Sequence, residues 1–196
     1  GVPARVGEAV TQVTVMAANE AEGPLYRGKV PAGSATTGGQ TTFLVTPGAA
    51  QVRLSAEGAS GGVVDSDVLE LAVPDFTKDP MSVGTPALFR ARTQRDLQVI
   101  AGTPDAQPTA TRAFSRTEKL LLRVAVTGAE PSIRLMSRTG DPMSPLVVRR
   151  APEGSPFSHE VEVPIASLPT GDFLIEVRAG EAADAPRRLT GVKVAS

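Results

Sequence analysis

Cysteine is absent from the 196 residues, which removes disulfides, thiolate metal sites and thiol nucleophiles from consideration. Tryptophan is absent too, and tyrosine and histidine occur once each, as Tyr26 and His159. Hydrolysis by a Ser-His-acid unit would therefore have to use that one imidazole. A zinc site with one histidine would need carboxylates for every other ligand, so no metal, cofactor or catalytic residue is expected. No run of about 18 or more apolar residues occurs, so no membrane-inserted helix is expected. The start, Gly1-Val2-Pro3-Ala4, has neither an initiator methionine nor the charged and apolar regions of a signal peptide, and reads as a fragment of a longer chain.

What is present points to strands. Hydrophobic residues make up 41% of the chain, enough for packed cores, and 19 glycines and 17 prolines are scattered as turns between short strands require. Alternation of period two recurs. In Phe173–Ala179, Phe173, Ile175, Val177 and Ala179 should face a core, and Glu176 and Arg178 should meet solvent. Val161–Ile165, Val52–Ala56, Leu69–Val73 and Lys119–Val126 follow the same rule, and no segment of comparable length keeps a helical spacing. Two stretches look alike: Pro47–Gly58 with a turn and a strand ending in Val73, and Pro169–Gly180 with a turn and Gly191–Val194. Each reads as the closing hairpin of a sandwich. The expected architecture is all-β, with two tandem antiparallel β-sandwich domains, immunoglobulin-like or fibronectin type III-like, at residues 1–73 and 81–196. A short, stiff connector, Pro74–Pro80, should join them, with Phe76 as its packing peg. The proline-rich stretch Thr103–Thr109 reads as a loop within the second unit.

Three phrases in this pattern carry a resemblance: Val73–Val83, Thr111–Arg116 and Glu160–Phe173. Together they resemble the C-terminal region of the VWFA-related proteins of acidobacteria, over roughly residues 47–196. In such proteins a von Willebrand factor type A domain precedes the tail and the whole is exported. The resemblance therefore implies an extracytoplasmic (periplasmic, secreted or cell-surface) accessory region and transfers no catalytic residue. The type A adhesion motif Asp-x-Ser-x-Ser is not matched by Asp65-Ser66-Asp67-Val68-Leu69.

Short motifs weigh little against this frame. Gly23–Val30 has the glycine and lysine spacing of a phosphate loop, but Val30 stands where Ser or Thr is needed and Pro31 follows where a helix should begin. Gly58-Ala59-Ser60-Gly61-Gly62 spells a nucleophile elbow, yet a strand follows it, which makes it a hairpin loop. His159 reads as an ordinary exposed or edge histidine, with Ser158 and Glu160 pointing elsewhere. Asp75 and Asp79, with Asp65 and Asp67 in a nearby loop, match no calcium loop, and Lys78 opposes a cation there. Arg90, Arg92, Arg95, Arg112, Arg116, Lys119 and Arg123 form the most basic stretch, expected as a solvated face or protein contact because no aromatics are interleaved for stacking on nucleic acid.

Net charge is −1, but residues 1–80 carry 5 basic and 9 acidic side chains and residues 81–196 carry 15 and 12. Neither imbalance calls for nucleic acid or an anionic membrane. The expected role is non-catalytic, as a protein-interaction module or spacer. A carbohydrate-binding sandwich is the alternative, and it would need exposed aromatic platforms, whereas Phe43 and Phe173 read as core.

Overall fold

The computed structural model describes residues 9–32, 41–73, 75, 78 and 81–195. They form fifteen strands, one α-helix and one 3-10 turn, so the all-β expectation holds. The chain divides into two compact units, Gly1–Asp75 and Phe76–Ser196. Most of the expected connector, including Pro74, Phe76, Asp79 and Pro80, lies outside the described residues.

In the first unit β1 (Val10–Asn19), β2 (Gly23–Pro31), β3 (Gly48–Gly58) and β4 (Val63–Val73) form one antiparallel sheet in the order β2-β1-β3-β4. Val13, Val15, Ala17, Val30, Val52 and Leu54 cluster with Phe43, which crosses from the segment before β3. Phe43 stacks on Tyr26 at 4.9 Å between ring centres, and the Tyr26 hydroxyl is 2.7 Å from Thr41 Oγ1. The Tyr26 ring lies along its own strand over Gly28, where any Cβ would collide with it. The phosphate-loop-like stretch is thus strand β2, and Gly58–Gly62 is the tight turn of the β3–β4 hairpin. Asp65 and Asp67, expected in a loop, lie within β4, paired across from Ala56 and Leu54.

The second unit is a two-layer sandwich. One sheet runs β12 (Arg149–Arg150), β13 (His159–Val163), β8 (Lys119–Val124), β6 (Ala87–Ala91). The other runs β11 (Pro142–Pro145), β10 (Pro131–Ser137), β14 (Gly171–Ala179), β15 (Arg187–Ala195), β7 (Ala113–Ser115), with β7 parallel to β15. β5 (Ser82–Val83) and β9 (Val126–Thr127) add a two-stranded piece. Taking β6, β8, β13 and β12 as A, B, E and D, and β10, β14 and β15 as C, F and G, the order is that of an immunoglobulin-type sandwich. The inward residues of both sheets, among them Leu120, Leu122, Val161, Val163, Ile133, Leu135, Ile175 and Val177, close into one core. Phe173 is part of it, as its alternation predicts.

One element departs from the sequence expectation. Helix α1 (Gln94–Gly102) is inserted where the chain passes from β6 in one sheet to β7 in the other. Thr93 and Asp96 form a capping box, each side chain accepting from the other's backbone N–H, at 3.1 and 3.0 Å. Leu97, Ile100 and Ala101 lay the helix on Phe89, Ala91 and Leu121, on the outer face of the sheet. The Thr103–Thr109 stretch is irregular, as expected of a loop.

Candidate functional site

The outer face of the five-stranded sheet concentrates charge. Arg134 on β10 pairs in register with Glu176 on β14, which pairs with Leu189 on β15. Glu176 is only 1% exposed, contrary to the expectation that it meets solvent. Three guanidinium groups bury it: Arg134 Nε at 3.0 Å, Arg178 Nε at 3.1 Å and Arg187 Nη1 at 3.3 Å. Three cations for one carboxylate leave a local excess of positive charge. Further along the same face Asp172 pairs in register with Lys193, and Arg112 and Arg138 close a shallow depression floored at Gly191. Between the two charged ends lie Met136 and Leu174, in register with Gly191, while the half-exposed Leu189 stands beside Glu176 at the arginine end. Six cations and two anions thus share this face, although the chain carries net −1.

The sequence-singled basic stretch is dispersed. Arg90, on β6, pairs with Glu118 at 3.3 Å and lies over the Phe114 ring, and its Nη2 donates to Ala113 O at 2.6 Å. Arg92 follows β6, and Arg95 is on α1. Arg116 donates to Ala166 O at 3.2 Å. Arg112 alone of the group joins the face described above. Arg123, expected on a solvated face, is fully buried beneath α1. Its Nε meets Glu160 Oε2 at 3.0 Å, and its terminal nitrogens donate to Thr103 O, Ile100 O and Ala101 O at 2.8, 2.7 and 3.1 Å. The cation ends the helix by filling the carbonyl acceptors of its last turn, where the helix dipole favours positive charge.

His159 also departs from expectation. It is 2% exposed and sits on β13, an internal strand. Its Nδ1 lies 2.8 Å from Ser158 Oγ and its Nε2 3.1 Å from Glu130 Oε2, and Arg150 pairs with Glu130 in turn. A carboxylate only accepts, so Nε2 is the donor to Glu130. Sequence reasoning missed the group because Glu130 is 29 residues from the histidine. Ser158 Oγ also accepts from Val126 N–H at 2.8 Å, while Ser158 N–H donates to Val124 O at 3.1 Å. The serine thereby bridges the break at Ala125, where the ladder of β8 stops and β9 begins. This wiring accounts for the Ser-His-carboxylate chain as a brace for an interrupted strand.

In the first unit, Glu57 on β3 accepts from Lys29 Nζ at 2.8 Å, from Gln12 Nε2 at 2.7 Å and from Thr14 Oγ1. Lys29 above all, then Thr14, hold its carboxyl below the ordinary value of 4.5. The described aromatic rings pack in pairs or in cores: Tyr26 on Phe43, Phe89 edge-on to Phe157, and Phe114 and Phe173 in the sandwich core. Among the described residues no three His, Asp or Glu side chains gather as metal ligands. No protein-family model and no curated protein sequence matches the chain.

Proposed function

We propose that the chain is a non-catalytic protein-interaction region whose second unit docks a partner on the outer face of its five-stranded sheet. The observation that carries this is the composition of that face: cationic clusters at both ends around an apolar middle of Met136 and Leu174, with Leu189 exposed beside the arginine end. Interface cores combine exposed apolar side chains with arginine, whose planar donor fork is less strongly hydrated than an ammonium group. The resemblance of residues 47–196 to the tail of VWFA-related proteins supports an extracytoplasmic setting, with the chain as an accessory region beside other domains.

Site-specific photo-crosslinking in the producing cell tests this. A photoreactive phenylalanine analogue replacing Leu189 is expected to give a discrete protein adduct, lost when Lys193→Glu and Arg138→Glu are added. The same analogue at Glu153, exposed on a turn, is the control. Adducts no stronger at Leu189 than at Glu153 would remove the docking face.

A further inference from the structure

Resting on that reading, we infer that the partner presents an extended acidic segment in which two carboxylates four residues apart flank one apolar side chain. The spacing comes from the sheet. On β14, Glu176 marks the arginine cluster and Asp172 the cluster of Arg112, Arg138 and Lys193, four residues away. At about 3.4 Å per residue the two cationic ends lie about 14 Å apart. An extended chain running along β14 crosses that distance in four residues, and its period of two turns the first, third and fifth side chains to the same side. The third side chain then meets the depression at Gly191, which has no side chain of its own, beside Leu174 and Leu189. A Cβ built at Gly191 finds no heavy atom within 4 Å, so the depression is open to an incoming group.

Charge alone would attract any polyanion, and two features select the acidic peptide. The row midway between the ends, Met136, Leu174 and Gly191, holds no cation of its own, so a phosphodiester or sulfated chain, charged at every unit, would lay charge over apolar surface. Each cationic end also holds its own carboxylate, Glu176 or Asp172, which repels continuous negative charge but leaves surplus cations for a single carboxylate.

The test titrates the full chain, isotopically labelled for NMR, with short synthetic peptides at low salt. The first has the pattern Glu-Ser-Leu-Ser-Glu, the second the same composition with the glutamates adjacent, the third glutamine for glutamate. A heparin hexasaccharide and a thymidine oligonucleotide complete the set. The first peptide is expected to move the amide signals of Leu174, Leu189, Gly191 and Lys193 and to bind about threefold or more tighter than the second. It should weaken by about tenfold as salt rises to physiological strength, because exposed charges are screened. Lys193→Glu should abolish the shifts without changing the melting temperature. Equal binding of the first two peptides overturns the spacing but leaves an acidic protein partner. Shifts of these amides by heparin or the oligonucleotide and by no peptide overturn both the spacing and the protein-interaction reading.

Discussion

At the scale of single residues, Glu176 shows how an alternating strand misleads. Its neighbours Ile175 and Val177 are fully buried in the core, and period two puts Glu176 on the opposite face, where it does lie. Facing away from the core is not the same as facing water. The stems and forks of Arg134, Arg178 and Arg187, from three different strands, roof it over, and long cationic side chains cover surface in this way. Glu176→Lys, silent on the sequence expectation, is now expected to destabilise, because it sets a fourth cation among three. Breaking a buried ion group by removing one charge costs about 3–5 kcal/mol. Ile175→Glu should do at least as much, losing about 1.5–3 kcal/mol of burial and adding desolvation of a carboxylate. Urea denaturation of both variants checks this, and a wild-type midpoint for Glu176→Lys would show the roof to be dispensable.

At the scale of elements, the strands were legible and the helix was not. Phe173–Ala179, Val52–Ala56 and Leu69–Val73 each fall in an observed strand, because one buried face imprints a period of two, whereas Val161–Ile165 is strand only as far as Val163, and Ile165 begins a 3-10 turn after Pro164. Lys119–Val126 is interrupted at Ala125, which its apolar register does not reveal. Helix α1 buries only Leu97 fully, so its nine residues carry too few apolar positions to show a helical period. The capping box Thr93-x-x-Asp96 was its one local sign, with Asp in the place usually held by Glu or Gln. Its other end depends on Arg123, about twenty residues onward, a link that no local pattern contains. Arg123→Ala is therefore expected to leave Glu160 buried without its partner and to take one donor from each of three carbonyls, of which Ile100 O keeps Thr103 N–H and Thr103 O keeps Ala106 N–H. The expected loss is about 3–5 kcal/mol, with faster hydrogen exchange in 94–102. Arg123→Lys should not restore it, since an ammonium cannot reproduce the planar fork. Hydrogen exchange by mass spectrometry reads this directly, and unchanged protection of 94–102 would separate the helix from its buried cation.

For the whole molecule, the two compact units should melt as two calorimetric transitions, each answering to its own substitutions. Ile175→Glu should lower one and Glu57→Gln the other. The Glu57 effect has a defined dependence on pH. Because Lys29 and Thr14 hold its carboxyl below the ordinary value of 4.5, the charged form stabilises the fold fully above that value. The contribution fades as pH falls through the lower folded value. The gap between wild type and Glu57→Gln should therefore be widest near neutrality and close in acid. A gap independent of pH would mean that the carboxylate contributes through packing alone. Asp141, held low chiefly by Thr139 and then Ser137, gives the second unit a loss of the same sign.

Strand β4 at the margin of the first sheet has a consequence for how the protein behaves in company. Its eleven residues leave Val63, Val68, Leu69 and Leu71 exposed along a row of backbone groups that would accept another strand. Asp65, Asp67 and Glu70 are set among them. Two copies meeting edge to edge would bring carboxylate against carboxylate, so at neutral pH the strand repels its own kind. Three side chains that contribute nothing to the core thus guard an apolar row against a second copy of itself.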